Sequence, residues 1–229
     1  MFDYDSNLIS TLQFSDLKGI TRNGFVVELN KKWGVINESG AFIIEPKYDN
    51  FESAFGNENY LVSKDGLSGI IDLEEKIIFP LKYEKLKKVG YSDIDGYIVK
   101  SGNQYGYINL NTGGIIEPEY DQIRQSFGVE GGSGGFLLSK KNGKSGLIFM
   151  TGELIALPLF DKIEKVGYRQ GNITWLVENK NFAFVINHRG ECIEGCPSKD
   201  HLEAMGFWKA IITNTLGQFL FYRNPTQRL

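Results

Sequence analysis

The only histidines and cysteines of the chain fall in one short stretch, as His188, Cys192, Cys196 and His201. Two thiolates and two imidazoles can close a tetrahedral zinc site. The H-x3-C-x3-C-x4-H spacing is not a familiar zinc pattern, however. On a strand, Cys192 and Cys196 share one parity and stand about two pleats apart. These four are therefore weak metal candidates. The competing reading is a degenerate repeat hairpin with two incidental thiols, and no metal is expected. Asn142-Gly143-Lys144-Ser145 carries the GKS of a phosphate loop, but the glycine required five places before Gly143 is replaced by Leu138. The segment reads as the turn into a strand. Gly131 to Gly135 leads into another strand, so no helix N-terminus would face a phosphate there. Both histidines lie in one segment, so no Ser–His–acid or Cys–His nucleophile can be assembled. No catalytic residue is assigned and no cofactor is expected. Four acids, Asp49, Glu84, Asp121 and Asp161, recur at equivalent places. They could line a shared axis and hold a cation or a basic partner. As turn-capping side chains they would instead bond nearby backbone N–H groups.

The elements that position these residues are repeats. A small residue opens a β run in Trp33-Gly34-Val35-Ile36, Ser68-Gly69-Ile70-Ile71, Tyr105-Gly106-Tyr107-Ile108 and Ser145-Gly146-Leu147-Ile148. Weaker copies are Phe182-Ala183-Phe184-Val185 and Lys209-Ala210-Ile211-Ile212. Each is followed by a polar turn, a second apolar run and, in the first four, a proline, as expected of hairpins. An aromatic–acid–x–aliphatic element closes each copy: Tyr48-Asp49-Asn50-Phe51, Tyr83-Glu84-Lys85-Leu86, Tyr120-Asp121-Gln122-Ile123 and Phe160-Asp161-Lys162-Ile163. The interval from anchor glycine to aromatic is 14 residues in all four copies. Phe14-Ser15-Asp16-Leu17 resembles this element without an anchor, and 210–222 resembles an anchor without this element. The N-terminal segment 10–17 is therefore expected to complete the last unit.

Lys32-Trp33-Gly34-Val35-Ile36-Asn37, followed by Gly40, Ile43-Ile44, Pro46 and Tyr48-Asp49, resembles the bacterial WG-repeat (KWG-repeat) family. Later anchors carry Ser or Tyr in place of Trp. The resemblance implies a β-rich repeat fold and an interaction module, with no shared enzymatic activity.

The anchor strands are apolar at both parities, so both faces of each should be covered, as should those of the second runs Ile43-Ile44, Ile77-Ile78 and Ile115-Ile116. With no convincing helix pattern, the cover must be neighbouring units. The expected fold is all-β: one domain over 1–229 of five to six antiparallel β-meander units, near 24–51, 60–86, 96–123, 135–163, 175–202 and 207–222. A propeller-like ring is preferred, and an open β-solenoid or roll is the alternative.

The net charge of −3 and the lack of a basic stripe argue against nucleic acid. No apolar run approaches the roughly 18 residues of a membrane span. The opening MFDYDSNLIS lacks a signal-peptide pattern, so a cytoplasmic location is expected. The expected function is a non-catalytic protein-interaction module, in one version an immunity- or antitoxin-like partner. The alternative is a small-ligand or metal-binding protein or an enzyme, using a central or interunit pocket lined by the repeated acids. Aromatics in or beside the variable connections 52–60, 87–96, 124–135 and 164–174 are the candidate partner contacts: Phe55, Tyr60, Tyr91, Phe127, Tyr168 and Trp175.

Overall fold

The computed structural model describes residues 13–21, 24–54, 59–90, 96–126, 135–169, 172–198, 211–213 and 219–221. Among these there is no helix, and the chain forms five four-stranded antiparallel sheets and one two-stranded sheet. The chain is an all-β repeat fold.

Two compact units are distinguished. The first spans Met1–Leu86 with Lys100–Gly102, and the second Lys87–Val99 with Asn103–Leu229. The first unit holds the sheet β1(Asp16–Thr21), β2(Gly24–Leu29), β3(Lys32–Ile36), β4(Phe42–Tyr48) and the sheet β5(Asn50–Ser53), β6(Asn59–Lys64), β7(Leu67–Asp72), β8(Ile77–Tyr83), each in sequence order. Three more sheets repeat the pattern. They are β9(Lys85–Val89), β10(Gly96–Ser101), β11(Gln104–Asn109) and β12(Ile115–Tyr120); β13(Gln122–Ser126), β14(Phe136–Lys141), β15(Lys144–Phe149) and β16(Leu154–Phe160); and β17(Lys162–Arg169), β18(Asn172–Asn179), β19(Phe182–Ile186) and β20(Cys192–Glu194). A hairpin of β21(Ile211–Thr213) and β22(Phe219–Phe221) follows.

Each sheet is cut at the repeated acid. Tyr48 ends β4 and Asn50 begins β5, with Asp49 alone between them, and Glu84, Asp121 and Asp161 stand at the same kind of junction. The structural repeat therefore begins one residue after the acid, not after the aliphatic that follows it. The 10–17 segment departs from this rule: its acid, Asp16, is the first residue of β1, and Ser15 takes the junction place, its N–H donating to the Glu28 carbonyl at 2.9 Å. Asp16 and Leu17 pair with Glu28 and Val27, so the strand they open heads the first sheet, and the described residues of this segment do not complete the last unit as expected, because β1 finds its partner in β2. Phe14, just before it, meets Phe42 edge-on at 6.4 Å.

The constant interval follows from cross-strand register. Trp33 faces Tyr48 and Val35 faces Ile44, so Gly34 alone spans Glu45-Pro46-Lys47. The same bulge recurs where Ser68 faces Tyr83, Tyr105 faces Tyr120 and Ser145 faces Phe160. A bulge with proline on the outer strand requires close backbone approach from its partner. A Cβ on Gly34 would lie 2.5 Å from the Ile44 carbonyl oxygen, and one on Gly106 would crowd that of Ile116 in the same way.

The anchor strands are covered on both faces: Val35, Ile36, Ile70, Ile71, Tyr107, Ile108, Leu147 and Ile148 are buried. In the first unit, one cluster joins Val26, Val35 and Tyr48 to Phe51, Tyr60 and Val62 across two sheets. In the second, Tyr107 and Tyr120 meet Leu137 and Ile148, and Phe136 and Leu147 meet Trp175 and Phe184. For the second runs the expectation holds in part in the first copy, where Ile44 is buried, and fails in the second and third copies. Ile77 is 61% exposed and Ile115 49%. β8 and β12 are edge strands of their sheets, so their outward side chains lack the cover that β7 and β11 have.

Candidate functional site

Three of the four repeated acids make side-chain contacts at the sheet junctions. The Asp49 carboxylate pairs with Lys32 and accepts from the Asp65 backbone N–H at 2.8 Å. Glu84 accepts from Gly102 N–H at 2.9 Å and has Lys100 at 3.7 Å. Asp161 pairs with Lys144 at 2.5 Å. The backbone repeats the arrangement, because the N–H groups of Asp49, Glu84, Asp121 and Asp161 donate to the carbonyls of Ser63, Lys100, Lys140 and Glu178 at 2.8–2.9 Å. Each acid thus fastens the end of one sheet to the second strand of the next. The hydrogen bond from Lys32 holds the Asp49 carboxyl below the ordinary carboxylate range, and that from Lys144 does the same for Asp161.

The phosphate-loop lookalike is a hairpin turn. Asn142 and Gly143, at φ 52° and 74°, connect β14 to β15. The weak metal candidates and the reading of two incidental thiols both meet a different arrangement. Cys192 and Cys196 are joined in a disulfide with their Cα atoms 5.8 Å apart, so neither is a free thiolate ligand. The parity argument fails because Gly195, at φ 68°, turns the chain back on itself. His188 has its Nδ1 buried without a partner, and burial lowers its pKa from the ordinary value. His201 lies outside the described residues. Among the described residues no group of three or more His, Cys, Asp or Glu is placed to hold a metal.

The candidate partner contacts divide. Tyr60 is 5% exposed and Trp175 is fully buried, so both belong to the core and cannot present themselves to a partner. Each lies on a strand whose side chain turns inward, Tyr60 against Phe51 at 5.1 Å and Trp175 against Phe136 at 5.3 Å. The backbone of Tyr168 lies in β17, paired with Ile173. Phe55, Tyr91 and Phe127 lie outside the described residues. The expected connection 164–174 is largely the paired strands β17 and β18.

A different surface emerges in the second unit. A groove of about 570 Å³ has Leu154, Leu157, Pro158 and Leu159 of β16 as its apolar side. Its polar side is Glu119 and Tyr120 from the end of β12 with Lys141, Asn142 and Lys144 from the β14–β15 hairpin. Lys141 sits 2.9 Å from Glu119 and 5.6 Å from the centre of the Tyr120 ring. Both ion pairs at the rim are partly exposed. Such pairs are worth only about 0–1 kcal/mol, so either lysine can exchange its carboxylate for another. The signal was present in the sequence. At the three bulge positions the first copy has Glu45-Pro46-Lys47, the second Pro80-Leu81-Lys82 and the third Glu117-Pro118-Glu119. The fourth has Leu157-Pro158-Leu159, with no charge at any of the three.

Residues 33–67 match the family described as WG containing repeat. The chain carries a WG repeat. The match runs from Trp33 through the first bulge and the Asp49 junction into the second sheet, so it covers one structural period. Among solved structures, the chain is similar to a eukaryotic initiation factor at 12% identity, over 83% of this chain and 55% of that one, with a TM-score of 0.37. It is similar to Hsv2p of Kluyveromyces lactis at 11% identity, over 80% and 60%, with a TM-score of 0.30. The chain spans less than two thirds of either. No curated protein matches the sequence.

Proposed function

We propose that this chain is a non-catalytic protein-interaction module whose β14–β16 groove docks an extended segment of a partner protein. The observation that carries the reading is Leu157-Pro158-Leu159, which sets half-buried apolar surface where the other three copies carry charge. The occupant has an aliphatic or aromatic side chain for the leucines and a neighbouring carboxylate for Lys141 or Lys144. Covering the leucines gains about 25 cal/mol for each Å² removed from water. The engagement of Asp49, Glu84 and Asp161 in junctions supports a structural role for the repeated acids over a ligand-binding one.

A random peptide library selected on the immobilised chain tests this. Enrichment of apolar residues flanked by Asp or Glu, lost when the selection is repeated on the Leu157→Asp variant, is the expected result. Enrichment that survives that substitution, or no enrichment at all, overturns it.

A further inference from the structure

β20 is the outer strand of the fifth sheet, held to β19 by the pairs Val185–Glu194 and Ile186–Cys192. Cys192 is 8% exposed and belongs to the cluster that holds Trp175, Phe184 and Ile186. Gly195 then reverses the chain. A Cβ there would lie 3.1 Å from the Ala183 carbonyl oxygen, and the backbone is left-handed, so glycine suits the position on both counts. The reversal returns Cys196 to Cys192 across a sequence separation of 4. Cys196 itself is exposed. Cys196 is therefore open to solvent while Cys192 is shielded by the core.

We propose that the Cys192–Cys196 disulfide is a thiol-exchange site, at which an incoming thiol becomes bonded to Cys196 and Cys192 is released. The incoming thiolate attacks the Cys196 sulfur, forming a new S–S bond as the Cys192–Cys196 bond breaks. The electron pair leaves with Cys192, which takes up a proton from solvent. One disulfide and one thiol give one disulfide and one thiol, so the step needs no further oxidant or reductant. Attack by a second thiol at the mixed disulfide releases Cys196 and completes the reduction of the protein.

Two features favour this course. Exposure selects the sulfur attacked, since access governs exchange as much as thiol chemistry does. The released Cys192 thiol has an acceptor at hand, the Glu194 carbonyl oxygen 3.8 Å from its sulfur. The short ring constrains the unfolded chain less than a long one would. The site is independent of the groove.

The full chain, purified without reductant, is treated with reduced glutathione and quenched with acid, and the adduct is located by tandem mass spectrometry. The untreated native protein should show no alkylatable thiol. The treated protein should carry glutathione on Cys196, and the Cys192 thiol should react with maleimide on the order of tenfold more slowly than Cys196 freed in a Cys192→Ser variant. Free thiols in the untreated folded protein, an adduct on Cys192, or no adduct where the urea-unfolded chain reacts would each overturn the proposal.

Discussion

The Tyr107 hydroxyl donates to the Met150 carbonyl oxygen at 2.6 Å, and the Asn109 amide donates to the same oxygen at 2.7 Å. Two side chains of β11 thus converge on one carbonyl at the turn after β15. The two are not equivalent. Tyr107→Phe leaves Asn109 on the oxygen and should cost about 1 kcal/mol. Asn109 also accepts from the Thr112 backbone N–H at 2.8 Å, so Asn109→Ala loses more, about 2–3 kcal/mol. Urea unfolding of the two variants checks the order.

The same tyrosine gives an alkaline prediction. Burial pushes the Tyr107 phenol up to about 12 from 10.0, against a lowering pull from Asn109. The unfolded chain therefore ionises first. Stability from this group is present below pH 10 and is lost as pH rises towards 12. Phenolate absorbance should show a late-titrating class in the native protein. Tyr107→Phe should reduce that class and flatten the alkaline fall in melting temperature.

Gly106 and Gly19 separate close approach from mere glycine content. A Cβ on Gly106 would crowd the Ile116 carbonyl oxygen and lie 2.8 Å from the Pro118 nitrogen, whereas one on Gly19 meets nothing within 4 Å. Gly106→Ala should cost at least about 1–3 kcal/mol through forced backbone movement. Gly19→Ala should be neutral or stabilise by up to about 1 kcal/mol through the unfolded chain. Thermal or urea unfolding of both variants gives the comparison. Similar losses in both would show that the bulge does not set the requirement.

At the sheet junctions, Lys32 and Lys144 hold Asp49 and Asp161 below the ordinary carboxylate range. A depressed carboxyl adds stability above its unfolded pKa, and this is lost as pH falls through the folded one. The melting temperature should fall as pH drops below about 4. Asp49→Asn and Asp161→Asn should each reduce that dependence, and added salt should act in the same direction at neutral pH.

Much of this was legible in the order of residues alone. The apolar pairs at Val35-Ile36 and Leu147-Ile148 announced strands covered on both faces, and all four residues are buried. The phase of the repeat was not legible, because a one-residue junction at Asp49 leaves no turn signal of its own. Nor was the exposure of Ile77 and Ile115, since composition does not distinguish an edge strand from a central one. The cysteine pairing depended on the left-handed backbone at Gly195, which strand parity ignores. The leucines of the groove were legible only by setting the copies beside one another.

Trp175 decides between core and interface. Its ring is fully buried and meets Phe136 edge-on at 5.3 Å, joining β18 to β14. Its indole nitrogen is buried without a hydrogen-bond partner. Trp175→Ala should cost about 3–5 kcal/mol by leaving a cavity. Trp175→Phe opens a smaller void and removes an N–H whose unsatisfied burial costs about 1–3 kcal/mol. The two terms oppose each other, so the phenylalanine variant should stay within about 1.5 kcal/mol of the parent. Urea unfolding of both variants measures the gap. Two variants of equal and small cost would place Trp175 at a surface, where neither the cavity nor the buried N–H counts.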